Sequence, residues 1–295
     1  MKYVITGGAG NTSKPIVEAL LKAGHEVTVI GRNAAHLEGL VALGAKAKTG
    51  SVDDRDFVID AFAGAEAAYT MVPPNYAATA WVDYIAGVGQ HYADAIRQHG
   101  IRYVVNLSSV GGHMHEGAGP VSGLARVETM LNEIEGLNVI HLRPGYFYHN
   151  FLALVGLVKN ANILGANFGG TGKALLVHPK DIAEAAIEEL TALNFTGSSV
   201  RHVIGDEKNG SEIAAALGAA IGEPALPWVE FTDEQQFDGG VQGGLSEEIS
   251  RNYAEMGQAL RSGEMTRTFY EQPVPLSPTK IEDFAPEFAA AYQSA

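Results

Sequence analysis

The fold of this chain is decided by the stretch Lys2-Tyr3-Val4-Ile5-Thr6-Gly7-Gly8-Ala9-Gly10-Asn11-Thr12-Ser13. Its short apolar start, residues 3–5, predicts a strand buried on both faces of a parallel sheet. A glycine-rich turn follows, then an amphipathic segment that ends at Gly24, then a second apolar run that ends at Gly31. This order of strand, turn, helix and strand is typical of the first half of a dinucleotide-binding unit.

The glycine turn predicts a site for a phosphate group. Gly7 permits backbone angles that a side chain forbids, and Gly10 lets a phosphate approach main-chain N–H groups without meeting a Cβ atom. The helix that begins near Asn11 or Thr12 directs N–H groups and the positive end of its dipole at that anion. Ser13 replaces the third glycine of the usual pattern and is small enough for close packing. The alternative is a turn that binds nothing. We predict cofactor contacts from Thr6, Gly7, Gly10, Asn11, Thr12 and Ser13.

Arg32 follows the second apolar run and indicates which cofactor binds. NAD-selective sites place a carboxylate at this point, about 20 residues past the turn, to hold the ribose 2′-hydroxyl. No Asp or Glu occupies positions 27–35, whereas the planar guanidinium of Arg32 suits a 2′-phosphate. The pattern therefore favours NADP over NAD. The alternative is a solvated surface arginine.

Composition excludes several classes of protein. The 295 residues carry a formal net charge of −14, which repels nucleic acid and anionic membrane surfaces. The lack of cysteine excludes disulfides, thiolate nucleophiles and zinc–thiolate sites. No apolar run reaches the length of about 18 residues that a membrane span needs, and the N-terminus enters a strand directly. We therefore expect neither a membrane span nor a signal segment, and a cytoplasmic protein.

Strand and helix patterns alternate through the first half of the chain and predict a Rossmann-type, doubly wound parallel α/β sheet. Residues 1–150 form the predicted NAD(P)-binding domain, which a return helix and strand at about 181–205 complete. Residues 151–180 and 206–295 form a smaller, mostly helical C-terminal lobe over the crevice, as the predicted substrate site.

Ligands of such sheets bind outside the carboxyl ends of the strands. We therefore predict further cofactor contacts from the residues that end the fourth, fifth and sixth strands. For the strand that ends at Pro73-Pro74, the alternative is a plain strand stop, because proline removes N–H donors. The predicted contacts are Met71, Val72, Pro73, Ser108 and Pro144.

Four stretches together resemble the NmrA-like branch of the atypical short-chain dehydrogenases/reductases. They are Ile5-Thr6-Gly7-Gly8-Ala9-Gly10-Asn11-Thr12, Gly31-Arg32-Asn33, Asn106-Leu107-Ser108-Ser109 and Arg143-Pro144-Gly145-Tyr146-Phe147-Tyr148-His149-Asn150. The resemblance covers roughly residues 1–235. It implies NAD(P)H-dependent reduction of quinones, azo compounds or phenylpropanoid ethers, or else NADP binding by a regulator without chemistry. It also implies that Phe147 forms a wall against the nicotinamide ring.

One departure from that resemblance bears on the mechanism. Typical short-chain dehydrogenases place a Tyr four residues before a Lys, whose ammonium lowers the phenol pKa. No tyrosine of this chain has Lys at the fourth following position. The reductase branch keeps a Lys four residues before a Glu; with Glu128 as that Glu, the position holds Leu124. The usual acid–base pair is therefore missing.

Two groups of side chains remain as candidates for chemistry. If their segment is extended, Tyr146 and Tyr148 lie on one side, where a phenol can protonate a reduced carbonyl or quinone oxygen. The alternative is packing of the lobe on the sheet. His113 and His115 lie in the loop after the fifth strand and point to opposite sides of an extended chain. We therefore expect no metal site there; a substrate-facing proton donor and an exposed loop both stay open.

Two hypotheses follow. The first is an NADPH-dependent reductase of a small-molecule acceptor that is quinone-like or otherwise flat and apolar. The second is a non-catalytic NADP(H) redox sensor that acts through a protein partner. The missing Lys favours the sensor, whereas the aromatic cluster after Pro144 favours the enzyme. A sugar epimerase or dehydratase needs the Tyr–Lys pair and is disfavoured.

Overall fold

The structure is a computed structural model that describes residues 1–295. It contains twelve strands and twelve α-helices. The strands are β1 (Lys2–Ile5), β2 (Glu26–Gly31), β3 (Lys46–Thr49), β4 (Ala67–Thr70), β5 (Tyr103–Leu107), β6 (Asn138–Pro144), β7 (Tyr146–Phe147), β8 (Leu164–Ala166), β9 (Ala174–Val177), β10 (Ser198–Val203), β11 (Asp206–Lys208) and β12 (Trp228–Glu230).

The helices cover both faces of the main sheet and form most of the C-terminal lobe. They are α1 (Ser13–Lys22), α2 (Ala34–Ala42), α3 (Arg55–Phe62), α4 (Trp81–His99), α5 (Pro120–Asn132), α6 (Val155–Ala161), α7 (Pro179–Ala192), α8 (Gly210–Ala220), α9 (Asp233–Gln242), α10 (Glu247–Ser262), α11 (Arg267–Glu271) and α12 (Ile281–Ser294). A 3₁₀ helix spans Tyr148–Leu154. None of the helices combines the length and the apolarity that crossing a membrane requires.

Seven strands form one parallel sheet in the order β10-β6-β5-β4-β1-β2-β3. This order confirms the predicted doubly wound sheet. The chain runs outward from β1 to β3 and then crosses back to β4 on the other side of β1. Ile5 lies opposite both Val29 and Tyr69, so the residues after these positions leave the sheet at one edge. In such sheets a crevice opens where the strand order reverses, here between β1 and β4.

The first strand is buried on both faces, as its apolar run predicts. Tyr3 and Ile5 pack in a core with helices α1, α2 and α7, whereas Val4 packs in a second core with α3, α4 and α5. Successive side chains of a strand point to opposite faces, and the two cores lie on the two faces of the sheet. Burial on both sides fixes the edge at which β1 ends and the glycine turn begins.

The C-terminal lobe has a core of its own. Its buried residues come from the 3₁₀ helix, from α6, α8 and α12, and from short strands. β7, β9 and β11 form a three-stranded sheet, and β8 pairs with β12. The segments after Gly205 are helical as expected, except for the three-residue strands β11 and β12. Strands of this length carry too few residues for alternation to be visible in sequence.

Candidate functional site

The turn between β1 and α1 needs glycine at its first position. Gly7 has φ +87° and Gly8 has φ +56°, in the left-handed region. A Cβ atom on Gly7 would lie 2.5 Å from Ser13 Oγ and 2.9 Å from the Met71 side chain. A Cβ atom on Gly10 would lie 3.1 Å from the carbonyl oxygen of Gly7. The inner side of the turn is therefore closely packed against Ser13 and Met71, and its outer side presents backbone atoms.

The start of α1 presents unsatisfied hydrogen-bond donors. The N–H groups of Asn11, Thr12 and Ser13 donate no hydrogen bond within the chain. Thr12 at the N-cap makes no capping hydrogen bond, and the first turn of α1 carries no acidic residue. Free N–H groups and the positive dipole end together form a site for an anion such as a phosphate. These residues therefore fit the pyrophosphate that the sequence predicts here.

The hydroxyl groups of the turn are occupied within the protein. Ser13 Oγ donates to the carbonyl oxygen of Thr6 at 2.8 Å, which ties α1 to the end of β1. Thr6 Oγ1 accepts from the Met71 N–H at 2.8 Å, which ties β1 to the chain leaving β4. The Tyr69 hydroxyl donates to Thr12 Oγ1 at 3.3 Å. The side chains of Thr6, Thr12 and Ser13 therefore hold the turn in shape, and the N–H groups of Thr12 and Ser13 remain for a ligand.

A cavity of about 410 Å³ extends from the glycine turn to the start of α2. The side chain of Arg32 is exposed there and makes no hydrogen bond or ion pair. His36, the third residue of α2, lies on the same cavity and was not predicted from the sequence. Asn33 caps α2 by accepting from the Ala35 N–H at 3.0 Å. The lining residues are Gly7, Gly8, Ala9, Gly10, Ile30, Gly31, Arg32, Asn33, His36, Leu37, Gly50, Val52 and Pro73.

The predicted residues after β4 lie beside this turn. Met71, Val72 and Pro73 directly follow Thr70, the last residue of β4, and are half-buried. The carbonyl oxygen of Met71 accepts from the Tyr92 hydroxyl at 2.8 Å, so α4 holds this segment in place. Pro73 lines the cavity with Gly7, Gly10 and Arg32. The structure thus brings four of the predicted cofactor residues to one cavity.

The side chain of Ser108 forms a hydrogen bond to a buried ion pair. Its hydroxyl donates to the Glu128 carboxylate, which also accepts two hydrogen bonds from the Arg143 guanidinium. A Cβ atom on Gly112 would overlap these three side chains, so the loop after β5 closes over them. Pro144 follows as the last residue of β6 and is buried, with its carbonyl accepting from the Val110 N–H at 2.9 Å. Ser108 and Pro144 thus lie at the predicted edge, and the hydroxyl of Ser108 is already engaged.

Aromatic side chains from distant segments meet above the ends of β4 and β6. The ring of Tyr146 lies 5.4 Å from Phe151 and 5.2 Å from Phe168. We call this region the aromatic pocket. Most of its lining residues come from the C-terminal lobe. Burial raises the pKa of the Tyr146 and Tyr253 phenols well above the usual range. Its lining residues are Tyr146, Phe151, Leu154, Gly165, Ala166, Asn167, Phe168, Trp228, Gln236, Tyr253 and Met256.

Tyr253, which lines the aromatic pocket, links it to solvent through Tyr76. Tyr253 donates a hydrogen bond to the hydroxyl of Tyr76 at 3.3 Å, and its ring lies 5.3 Å from that of Trp81. Tyr76 is 51% exposed and belongs to the segment after Pro73-Pro74. The sequence does not predict that Tyr76, Trp81 and Tyr253 meet, because nothing in their spacing indicates it.

The structure separates Tyr146 from Tyr148. The extended segment is only the two-residue strand β7, and the 3₁₀ helix begins at Tyr148, so the expected alternation is wrong there. Tyr148 is fully buried in the lobe, where its hydroxyl donates to Asp206 Oδ2 at 2.9 Å. Phe147 is half-buried and packs against the same core as Met71. Of the two tyrosines, only Tyr146 lines the aromatic pocket.

The loop after β5 does not gather its histidines. The imidazole nitrogens of His113 are buried without a partner, and burial, together with the charge of Arg143, lowers its pKa. His115 is exposed. His113 therefore packs inward while His115 faces solvent, and the two do not form a common site.

A different cluster has the spacing of metal ligands. The Nε2 atoms of His149 and His178 lie 3.2 and 3.1 Å from the carboxylate of Glu287. His178 Nδ1 accepts from the Lys180 N–H at 3.0 Å, which caps α7 and leaves the ring proton on Nε2. A metal ion could bind Nε2 of His178 only by displacing that proton, because the capping hydrogen bond already uses the lone pair of Nδ1. The three residues therefore form a hydrogen-bonded cluster between α7, α12 and the 3₁₀ helix.

Known proteins share this architecture. A family model described as the NmrA-like family matches residues 2–284. An NAD(P)H azoreductase from Xenophilus azovorans is 22% identical over 232 residues, which cover 79% of this chain and 78% of that protein.

Two solved structures are similar over almost their whole length. An NADPH-dependent quinone oxidoreductase from Escherichia coli, complexed with NADPH, is 18% identical, with a TM-score of 0.79 over 97% of this chain and 99% of that chain. The triphenylmethane reductase of Citrobacter sp., complexed with NADP(H), is 18% identical, with a TM-score of 0.79 over 98% of this chain and 100% of that chain. At these identities the similarity shows a shared fold.

Proposed function

The chain belongs to the NmrA-like family, and we propose that it is an NADPH-dependent reductase of a flat, apolar acceptor such as a quinone. The observation that carries this proposal is that two kinds of unsatisfied group face one side of the crevice. The N–H groups at the start of α1 have no acceptor, and Arg32 on the adjoining cavity has no anion. A dinucleotide with a 2′-phosphate satisfies both. The named relatives support this choice, since two of them are complexed with NADP(H).

The chain's own residues divide the binding of the dinucleotide. The amides of Asn11, Thr12 and Ser13 hold the pyrophosphate, which Gly7 and Gly10 allow to approach the backbone. At the other end of the cavity, Arg32 and His36 surround the 2′-phosphate beside the N-terminus of α2. This arrangement selects NADP over NAD, because the guanidinium gains a charge-assisted hydrogen bond only with the phosphate.

The aromatic pocket is the proposed acceptor site. When bound, the dinucleotide supplies a hydride. The pocket offers ring faces on which a flat acceptor stacks, and the rings of Phe168 and Trp228, 6.2 Å apart, keep water away from it. In this division, residues 1–150 with 181–205 bind the dinucleotide. Residues 151–180 and 206–295 supply most of the acceptor site.

A second candidate function is a non-catalytic NADP(H) sensor that acts through a protein partner. Two side chains of α5 favour this function. Leu124 takes the place of the reductase lysine and packs half-buried against apolar residues, while Glu128 is engaged by Arg143. This part of the site therefore has no ammonium group to assist proton transfer.

One experiment separates the two functions. Purified protein is mixed with NADPH and a panel of quinones, azo dyes and triarylmethane dyes, while the nicotinamide absorbance band is followed. Consumption of NADPH with at least one flat acceptor supports the reductase. Saturable NADP binding by calorimetry without turnover of any acceptor supports the sensor. Lack of heat with both NADP and NAD would contradict both functions.

A further inference from the structure

We propose that Tyr253, backed by Tyr76, donates the proton that a quinone oxygen takes up as it is reduced. This inference rests on the proposed reductase function. It names a residue for the proton transfer that the lysine assists in related enzymes and that has no lysine here. It applies to acceptors in which reduction creates an oxyanion inside the aromatic pocket.

The position of Tyr253 carries the argument. It projects from α10 and lines the aromatic pocket, on which Tyr146 and Trp228 also lie. Its hydroxyl lies 3.3 Å from the hydroxyl of Tyr76, which is 51% exposed. A donor that works once per turnover must recover its proton from water. Tyr253 has a hydrogen-bonded path to water, because the second hydroxyl of the path reaches the surface.

The other polar groups near the pocket are committed elsewhere. The amide of Asn167 donates to Asp233 and to the Ala254 carbonyl. The Gln236 side chain accepts from the Asn167 N–H. Tyr148 is held by Asp206 outside the pocket. Tyr146 lines the pocket but takes no part in the hydrogen bond between Tyr253 and Tyr76. Among the groups lining the pocket, Tyr253 alone combines a proton with a hydrogen-bonded link to an exposed hydroxyl.

The step balances without any further reactant. Two electrons and one hydrogen reach the quinone as hydride and leave it as the hydroquinone monoanion. The hydroxyl of Tyr253, which donates to Tyr76 before the acceptor is reduced, rotates toward the anionic oxygen, and its O–H bond breaks as a new O–H bond forms there. The resulting phenolate takes the proton of Tyr76, which regains one from water. Burial raises the pKa of Tyr253, so the phenol keeps its proton until an anionic oxygen develops beside it.

The test compares two acceptors that differ in their need for a proton. A quinone requires one at oxygen, whereas a cationic triarylmethane dye takes hydride at carbon and becomes neutral without any proton. We expect Tyr253→Phe to lower kcat for the quinone by about 100-fold, the size of a typical general-acid contribution, and to leave dye reduction unchanged. Tyr76→Phe, at an exposed position, should give a smaller loss with the same selectivity. Tyr270 lies on α11, and its side chain is exposed, with its hydroxyl donating to Glu207. Tyr270→Phe is therefore the matched control and should change neither reaction.

A second readout does not need the dinucleotide. Trp81 and Trp228, the two tryptophans of the chain, lie at or beside the aromatic pocket, so a bound quinone should quench their fluorescence. Quenching curves that match between wild type and Tyr253→Phe would place the loss in kcat and not in acceptor binding. Equal turnover of the quinone by wild type and both variants would overturn the proton-donor role. So would equal losses with quinone and dye. A wild type that turns over no acceptor contradicts the reductase function itself.

Discussion

The guanidinium of Arg143 forms a bidentate ion pair with the carboxylate of Glu128 inside the protein. Arg143 Nε lies 3.0 Å from Glu128 Oε1, and Nη2 lies 2.6 Å from Oε2. The two side chains are only 10% and 5% exposed. Because Arg143 belongs to β6 and Glu128 to α5, the pair fixes the end of β6, from which the chain leads into the aromatic pocket.

We predict that Glu128→Ala lowers the free energy of unfolding by about 3–5 kcal/mol, because it leaves a buried guanidinium without its anion. The double variant Glu128→Leu with Arg143→Met should lose less, since it removes both charges together. Urea denaturation measures both values. Glu135→Ala removes an exposed carboxylate without an ion pair and serves as control. A loss as small as that of the control would show that the pair contributes little.

We predict that Arg32→Ala weakens NADPH binding by about 10- to 100-fold and leaves NADH binding unchanged. A charge-assisted hydrogen bond contributes about 1.5–3 kcal/mol, and only NADPH has the 2′-phosphate that receives it. His36→Ala should act in the same direction with a smaller effect, because His36 lies on the same cavity. Fluorescence titration with each dinucleotide measures the dissociation constants.

The matched control for Arg32 is Arg102→Ala. Arg102 is exposed and precedes β5, at the opposite edge of the sheet, so its loss should affect neither dinucleotide. If Arg32→Ala weakened NADPH and NADH equally, the 2′-phosphate would not be its ligand.

Two glycines with similar positive φ angles allow a sharp test of the turn. Gly7 has φ +87° and Gly24 has φ +82°, yet a Cβ atom meets Ser13 and Met71 at Gly7 and nothing within 4 Å at Gly24. Gly24→Ala should cost about 1–2 kcal/mol from the left-handed backbone alone. Gly7→Ala should cost about 1–3 kcal/mol more from overpacking and should abolish dinucleotide binding. Thermal denaturation and calorimetry measure the two effects. Equal stability of the two variants would contradict the packed turn.

Much of the fold could be predicted because its signals are local. The glycine turn and the buried run of residues 3–5 predicted the first strand, turn and helix. The predicted fifth strand, residues 103–107, coincides with β5. Glycine restricts only its own backbone, and apolar runs report burial of their own strand. Each therefore acts within a few residues.

The aromatic pocket could not be predicted, because its residues meet only through tertiary packing. Tyr76 follows β4, Tyr146 follows β6, and Tyr253 lies on α10. The position of His36 in the cavity could not be predicted for a related reason. A histidine near a helix start has no pattern of its own until the cavity beside Arg32 is known.

The structure assigns Tyr148 to the lobe core, and this placement predicts how its variant behaves. Its hydroxyl donates to Asp206 at 2.9 Å and lies 3.2 Å from the carbonyl oxygen of Thr279. Tyr148→Phe leaves a buried carboxylate with one donor fewer, so we expect a loss of about 1–3 kcal/mol in stability. Turnover per folded molecule should remain. A large fall in kcat with full stability would instead make Tyr148 the proton donor.

His141 on β6 predicts a pH dependence of stability. Its Nδ1 lies 3.1 Å from Asn106 Nδ2 and its Nε2 lies 2.9 Å from Asn132 Oδ1, which suits the neutral ring. Burial lowers its pKa from 6.5 to about 4. Between these values the unfolded chain binds the proton and the folded chain does not. The free energy of unfolding should therefore fall by about 3 kcal/mol as the pH drops through this window, with no further loss below pH 4 from this group.

Denaturation at several pH values measures this effect in wild type and in His141→Gln. The glutamine amide can accept from Asn106 and donate to Asn132, yet it does not titrate, so the variant should lose less stability than wild type between pH 6.5 and 4. His115→Gln, in the exposed part of the loop, should keep the wild-type slope. Identical slopes in wild type and His141→Gln would mean that the proton uptake of the unfolded state comes from other groups, because His141 would then titrate alike in both states.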